Sequence, residues 1–305
     1  MNALKVGLAL PYGGASTGAR LAKEAEEAGW EGVFVGDAIW CEDPMIVLAA
    51  AAVNTSRIRL GTMVIPVPLR QPWKIASESV ALDRLSNGRL TLGLGAGAVW
   101  MGWQAFPDTV TNPRPRAEML DETIDILDLL YQRQPFDYDG KHYHLKLTQL
   151  DVQYYPPKPV QQPRIPLWVV GVWPRMKSMR RILKCDGLLP QKMSPEGQFE
   201  EVTSADIRAM KAYVNANRTL TTPFDIVVEG KTGDLAPSEA QAKLAEWADA
   251  GATWWIEGMW ENTEEQVIQR VRQRGGGPVV LDGHGVIPRS GRVRGSVRRR
   301  TPARW

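Results

Sequence analysis

The sequence predicts an α/β protein, a single (β/α)8 TIM barrel. Short runs of apolar, often β-branched residues alternate eight times with longer segments of helical period. The chain has 305 residues, enough for one barrel of about the usual 250 residues with material left over. Hydrophobic residues at 44% and charged residues at 23% are ordinary for a soluble protein that buries one core. An open doubly wound sheet, which usually stops near six strands, ranks second.

Leu4–Leu10 (LKVGLAL) reads as a buried parallel strand and Gly18–Gly29 as a helix closed by glycine. Glu31–Val35 (EGVFV) is the second strand, with a helix near Pro44–Asn54. Arg57–Ile65 (RIRLGTMVI) is the third strand, followed by a helix over Trp73–Leu85 that ends at Asn87-Gly88. Arg89–Gly93 (RLTLG) is the fourth, and Arg116–Tyr131 is a long helix with apolar Leu120, Ile124, Leu127 and Leu130 on one face.

The rhythm breaks from Gln134 to Arg164. Prolines, a hairpin turn at Asp139-Gly140 and the alternating stretch Lys141–Leu147 mark an inserted excursion, spanning about 134–165. Alternation resumes with strand Pro166–Val170 (PLWVV), a helix from Pro174 to Lys184 and strand Asp186–Pro190 (DGLLP). A helix within Ser204–Asn217, strand Phe224–Glu229, helix Ser238–Ala250, strand Thr253–Glu257 and helix Thr263–Arg274 complete the series. The barrel domain is therefore expected over 1–274.

The net charge of +3 does not belong to that domain. Gly275–Trp305 holds seven arginines and one acid, a balance of +6, so the rest of the chain carries −3. Rich in Gly and Arg and poor in large apolar residues, this segment is expected to be a disordered basic tail. No nucleic-acid partner is expected of the barrel. No apolar run reaches the roughly 18 residues of a membrane span, and the first residues lack a signal pattern, so no membrane association and a cytoplasmic location are expected. Cys41 and Cys185 are expected to remain thiols.

In a barrel of this kind the active site lies at the C-terminal ends of the strands. That rule gathers Tyr12, Asp37, Trp40, Met63 to Pro66, Gly95 to Trp103, Gly171 to Arg175, Gln191, Glu229 and Glu257 to Trp260 around one mouth. Trp40, Trp100, Trp103, Trp173 and Trp260, with Tyr12, are expected to wall a site for a planar, largely apolar ligand. Gly95-Ala96-Gly97 is no dinucleotide fingerprint, because Trp100 stands where its third glycine should be; it is expected to let a ligand approach the backbone. In Gly171-Val172-Trp173-Pro174-Arg175, Pro174 suits the first turn of a helix whose amides favour a phosphate, and Arg175 adds a charged fork. Of the three histidines, His142 and His144 fall on the inserted hairpin and His284 in the tail, and no metal site or Ser-His-Asp triad is found.

Two phrases carry a resemblance. Arg57–Thr62 has the form R-I-x-L-G-T, and Leu85–Gly97 the form L-S-x-G-R-L-x-L-G-x-G-x-G. Further matching phrases are LDETIDILDLLY (Leu120–Tyr131), FDYDGKHYHL (Phe136–Leu145) and PRIPLWVVG (Pro163–Gly171). From Leu4 to about Arg274 the chain resembles the bacterial-luciferase-like monooxygenase family. The resemblance implies a flavin or deazaflavin cofactor, a cis peptide at Met63–Val64 against the cofactor ring, and a homodimer. It also gives Asp37 the place of a catalytic or cofactor-contacting acid. The sugar-phosphate dehydrogenase branch that uses deazaflavin has histidine where Ala38 stands and glutamate where Ala98 stands, so its chemistry does not carry over.

The implied cofactor set is Met63, Val64, Gly95, Ala96, Gly97, Gly171, Val172, Trp173, Arg175 and Gln191. The expected function is that of a flavin-dependent monooxygenase, in which reduced FMN from a separate flavin reductase acts with oxygen on a small organic substrate. The alternatives are a deazaflavin-dependent hydride-transfer enzyme and a non-catalytic flavin-binding protein.

Overall fold

The computed structural model describes residues 4–273; the basic segment 275–305, with His284 and its expected disorder, lies outside the described residues. Eight parallel strands close into a ring: β1 (Lys5–Ala9), β2 (Gly32–Val35), β3 (Arg59–Thr62), β4 (Leu90–Gly95), β5 (Leu167–Trp173), β6 (Gly187–Met193), β7 (Asp225–Gly230) and β8 (Trp254–Gly258). Each pairs with the next, and β8 pairs with β1 over Lys5↔Trp254 to Ala9↔Gly258. A helix follows every strand: α1 (Ala15–Glu27), α2 (Pro44–Asn54), α3 (Pro72–Leu85), α4 (Pro113–Gln132), α5 (Met176–Ile182), α6 (Ser204–Asn217), α7 (Pro237–Ala250) and α8 (Glu264–Gln273). The expected (β/α)8 barrel is the fold observed.

Two cores result from strand alternation. Outward residues such as Leu60, Leu92 and Val169 pack beneath the helices. Inward residues fill the lumen, where Phe34 stacks on Trp168 at 5.2 Å and meets the edge of Trp254 at 5.7 Å. These rings fit because their neighbours lack side chains. A Cβ at Gly7, Gly32 or Gly61 would lie 2.5–2.8 Å from the Phe34 ring, and one at Gly187 would lie 2.3 Å from Trp168. The barrel is thus plugged below its mouth.

The third strand is not the single run Arg57–Ile65. Leu60 and Gly61 pair with Leu90 and Thr91, and Ile65 and Pro66 pair with Leu94 and Gly95. Three residues, Thr62, Met63 and Val64, therefore stand opposite two, Leu92 and Gly93, which makes a bulge. The Thr62 hydroxyl donates to Gly93 O at 3.0 Å and accepts from Gly93 N at 2.9 Å, pinning the two edges together. Within the bulge the Met63–Val64 peptide is cis.

The excursion between α4 and β5 contains the expected hairpin, Asp137–Asp139 against His144–Lys146. It docks on α4: Glu122 accepts from the backbone N–H of Lys141, His142 and Tyr143. His142 contacts Glu118 at 3.0 Å and His144 contacts Asp139 at 2.7 Å, so both histidines serve the hairpin. Cys41 and Cys185 are free thiols.

Candidate active site

At the mouth the plug is capped by Met63, Val64, Val170 and Trp260, which pack directly on it. Above this floor the strand ends supply the polar groups. Asp37, just past β2, accepts from Arg70 Nε at 2.8 Å. Arg70 lies in the turn between the bulge and α3, and its guanidinium also holds Asp43 at 2.8 Å. Asp43 in turn accepts from Met45 N at 2.8 Å as the cap of α2, so the cluster ties two strand ends to one helix. Burial pushes the Asp37 carboxyl above its ordinary value although Arg70 pulls the other way. Burial also works against the charge on Arg70, but Asp37 and Asp43 hold that group above its usual range.

Across the mouth, Glu229, next to last in β7, has the same inward parity as Val227. Its Oε1 accepts from Trp260 Nε1 at 2.5 Å, and Trp260 stacks on Tyr12 with centroids 6.1 Å apart and planes at 30°. Glu229 is open to solvent yet recessed. That partial withdrawal from water raises its carboxyl above the ordinary value, against the pull of Trp260 and Lys231. Tyr12 is likewise pushed up, first by burial and then by the negative potential of Cys41, Asp37 and Glu229.

The strand β6 pairs with β7 only at Gly187↔Asp225 and Leu188↔Ile226. Above those pairs it turns toward the short strand Phe199–Glu200, and the seam opens into a cavity of about 280 Å³. Met63, Leu189, Gln191, Val227 and Glu229 line its inner part. This places Gln191, Met63 and Glu229 in one space, which the strand map alone did not show.

Several expected site residues lie elsewhere. Strand β5 continues three residues past Val170, the end expected from the sequence, and alternation turns Trp173 outward, where its ring meets Tyr213 of α6 at 6.4 Å. Gly171 faces outward too: a Cβ there would lie 2.4 Å from Leu188 and 3.2 Å from Ile182, so its smallness serves helix packing. Val172 has the inward parity of Val170 and stays at the mouth. Pro174 is not in the first turn of α5. The Trp173–Pro174 bond is cis, and the helix opens two residues later with Arg175 as its cap. Arg175 is exposed, and its Nη2 donates to Ser194 O at 2.9 Å and Pro195 O at 3.3 Å.

The loop after β4 also differs. Gly95 makes room for Val64, because a Cβ there would lie 2.9 Å from Val64 Cγ2. Gly97 adopts φ +82° beneath Trp103, whose ring would be 2.2 Å from a Cβ. Trp103 is only 2% exposed, so it packs the loop and walls no pocket. Arg116 of α4 donates to Ala96 O at 2.9 Å and Gly97 O at 2.7 Å, occupying backbone that the sequence offers to a ligand. Trp40 and Trp100 stand on the rim, 67% and 79% exposed, with Trp40 leaning on Phe106 at 5.0 Å. Glu257 points outward and is fully satisfied by Thr232, Gly233, Trp255 and Arg270. It is a structural carboxylate.

The luciferase-like monooxygenase family profile matches residues 5–277. The chain belongs to the luciferase-like monooxygenase family. A Mycobacterium tuberculosis protein named for coenzyme F420-dependent oxidoreductase activity is 35% identical over 213 residues, which cover 65% of this chain and 59% of the relative. The 4-hydroxyprotoasukamycin monooxygenase of Streptomyces nodosus subsp. asukaensis is 43% identical over 107 residues, 33% of this chain and 29% of that protein. The chain thus matches less than two thirds of the length of these relatives. Among solved structures, the coenzyme F420-dependent tetrahydromethanopterin reductase of Methanopyrus kandleri superposes with a TM-score of 0.67 over 90% of this chain and 98% of its own, at 18% identity. That likeness concerns the fold. A monooxygenase and coenzyme F420-dependent enzymes are thus among the proteins similar to this luciferase-like chain. Among its described residues no helix is long and apolar enough to cross a membrane, and no group of three or more His, Cys, Asp or Glu could hold a metal.

Proposed function

We propose that the protein is a flavin-dependent oxidoreductase and, within that class, a monooxygenase. Reduced FMN, delivered by a separate flavin reductase, and oxygen would act on a small organic substrate. The observation that carries this reading is the floor of the mouth, where the Met63–Val64 bulge caps an aromatic plug beside a cavity walled by Gln191 and Glu229. An apolar floor with a few convergent polar groups suits a flat ring system. FMN bound there supplies the redox chemistry.

The chain's own residues have narrower tasks. Met63 and Val64 support the ring, with Gly95 giving Val64 its room and Val172 on the adjoining wall. Gln191 offers an amide to the ring's polar edge. Arg175, exposed past the end of β5, is the cation assigned to the phosphate, and Ala96 and Gly97 hold the neighbouring loop in place. Asp37 faces the substrate, which Tyr12, Trp40, Trp100 and Trp260 surround and shield from water.

A deazaflavin-dependent hydride-transfer enzyme is the second reading, favoured by the name of the Mycobacterium tuberculosis relative. Ala38 and Ala98 count against its sugar-phosphate branch. Titration of the full chain with FMN and with the deazaflavin coenzyme, followed by tryptophan quenching, separates the two. FMN should bind more tightly and support oxygen uptake with a reductase present. Tighter deazaflavin binding overturns the choice of cofactor, and no binding of either overturns the whole reading.

A further inference from the structure

Glu229 has a surrounding that none of the roles above requires. Gly258, beside it on β8, leaves the space the carboxyl occupies, since a Cβ there would lie 2.8 Å from Oε1. Trp260 fixes Oε1, while among the described residues Oε2 has no protein donor and Glu229 makes no ion pair. Glu229 lines the cavity that also contains Met63. A carboxylate held at one oxygen and open at the other is built to receive one donor from a ligand.

We propose that Glu229 is the catalytic proton acceptor for a substrate that presents a hydroxyl group and lies against the Trp260 ring. In this step the substrate O–H bond breaks, an O–H bond forms at Glu229 Oε2, and the electron pair stays on the substrate oxygen. No oxidation occurs in it; the role in turnover rests on the flavin reading above. Asp37 is the poorer acceptor, because taking up a proton would cost its ion pair with Arg70 at 2.8 Å.

The probe is 4-nitrophenol, whose absorption moves to long wavelength as its hydroxyl surrenders the proton. In mildly acidic buffer, where the free phenol keeps its proton, the full chain without added flavin should bind it saturably with a long-wavelength band. Glu229→Gln should bind about tenfold more weakly and lose the band, because a charge-assisted bond becomes a neutral one. Glu229→Asp, which keeps the charge, should retain part of the band and serves if the glutamine variant does not fold. Persistence of the full band in Glu229→Gln overturns the proposal. So does tighter binding of benzylammonium than of benzyl alcohol to the wild type, which would make Glu229 a charge partner. Failure of FMN to bind the same preparation sinks the flavin reading alone, since the nitrophenol band does not depend on flavin.

Discussion

Arg70 Nε donates to Asp37 Oδ2 at 2.8 Å, and the side chains are only 19% and 10% exposed. Removing the cation leaves a desolvated carboxylate, so Arg70→Gln should destabilise the fold by roughly 2–3 kcal/mol at neutral pH, somewhat less than for a fully buried pair. The loss should shrink in acid. Asp37 without Arg70 has its carboxyl raised further, and a raised carboxyl harms the folded state only once ionised. Denaturant titrations at pH 5 and pH 8 test this; equal losses at both would sink it, and Asp37→Asn should rescue the variant.

Glu229 gives a prediction of opposite sign for stability. Its folded-state value is raised, so stability is full below the ordinary carboxylate range and declines as pH rises through the raised value. Glu229→Gln should therefore melt higher than wild type at pH 8, by on the order of one degree for this solvent-open group. At pH 4 the two should coincide. A variant that melts lower at every pH would show that the carboxylate is structural.

Arg175 and Asp37 should separate binding from chemistry. Arg175→Ala should weaken FMN binding about ten- to a hundredfold and restore most turnover at saturating cofactor. Asp37→Asn should lower turnover itself. Unchanged FMN affinity in Arg175→Ala would move the phosphate away from the end of β5.

The outer faces of α2 and α3 leave Ile46, Val53, Trp73 and Leu85 exposed. Covering this apolar surface in a homodimer is the expected outcome of the family resemblance. Light scattering at micromolar concentration should report a dimer, and Ile46→Asp with Val53→Asp should yield monomer. A wild-type monomer defeats the prediction.

Much of this was legible in the chain. Eight buried strands announced themselves because a parallel sheet covered on both faces reads as short apolar runs. The mouth residues followed from strand order, and the resemblance placed the cis bond at Met63–Val64. Parity was harder. A strand ending at Val170 would put Trp173 at the mouth, but three further residues of alternation turn it outward. Arg70 and Arg116 are harder to read, since a lone arginine near a proline has the pattern of a solvated one. Only the fold brings Arg70 to Asp37 and Arg116 to the carbonyls of Ala96 and Gly97. Arg70 had one usable signal, its place between the third strand and its helix.

The plug beneath the mouth has a consequence for how this barrel could evolve. Phe34 occupies volume that Gly7, Gly32 and Gly61 jointly vacate, so none of these four positions can change size alone. A smaller residue at 34 opens a void touching three glycines, and a methyl on any glycine collides with an unchanged ring. Drift at the base of the lumen must therefore proceed in compensated pairs, whereas the rim at Trp100, 79% exposed, is free to vary alone. The same barrel can thus acquire new substrates at its edge while its foundation stays locked.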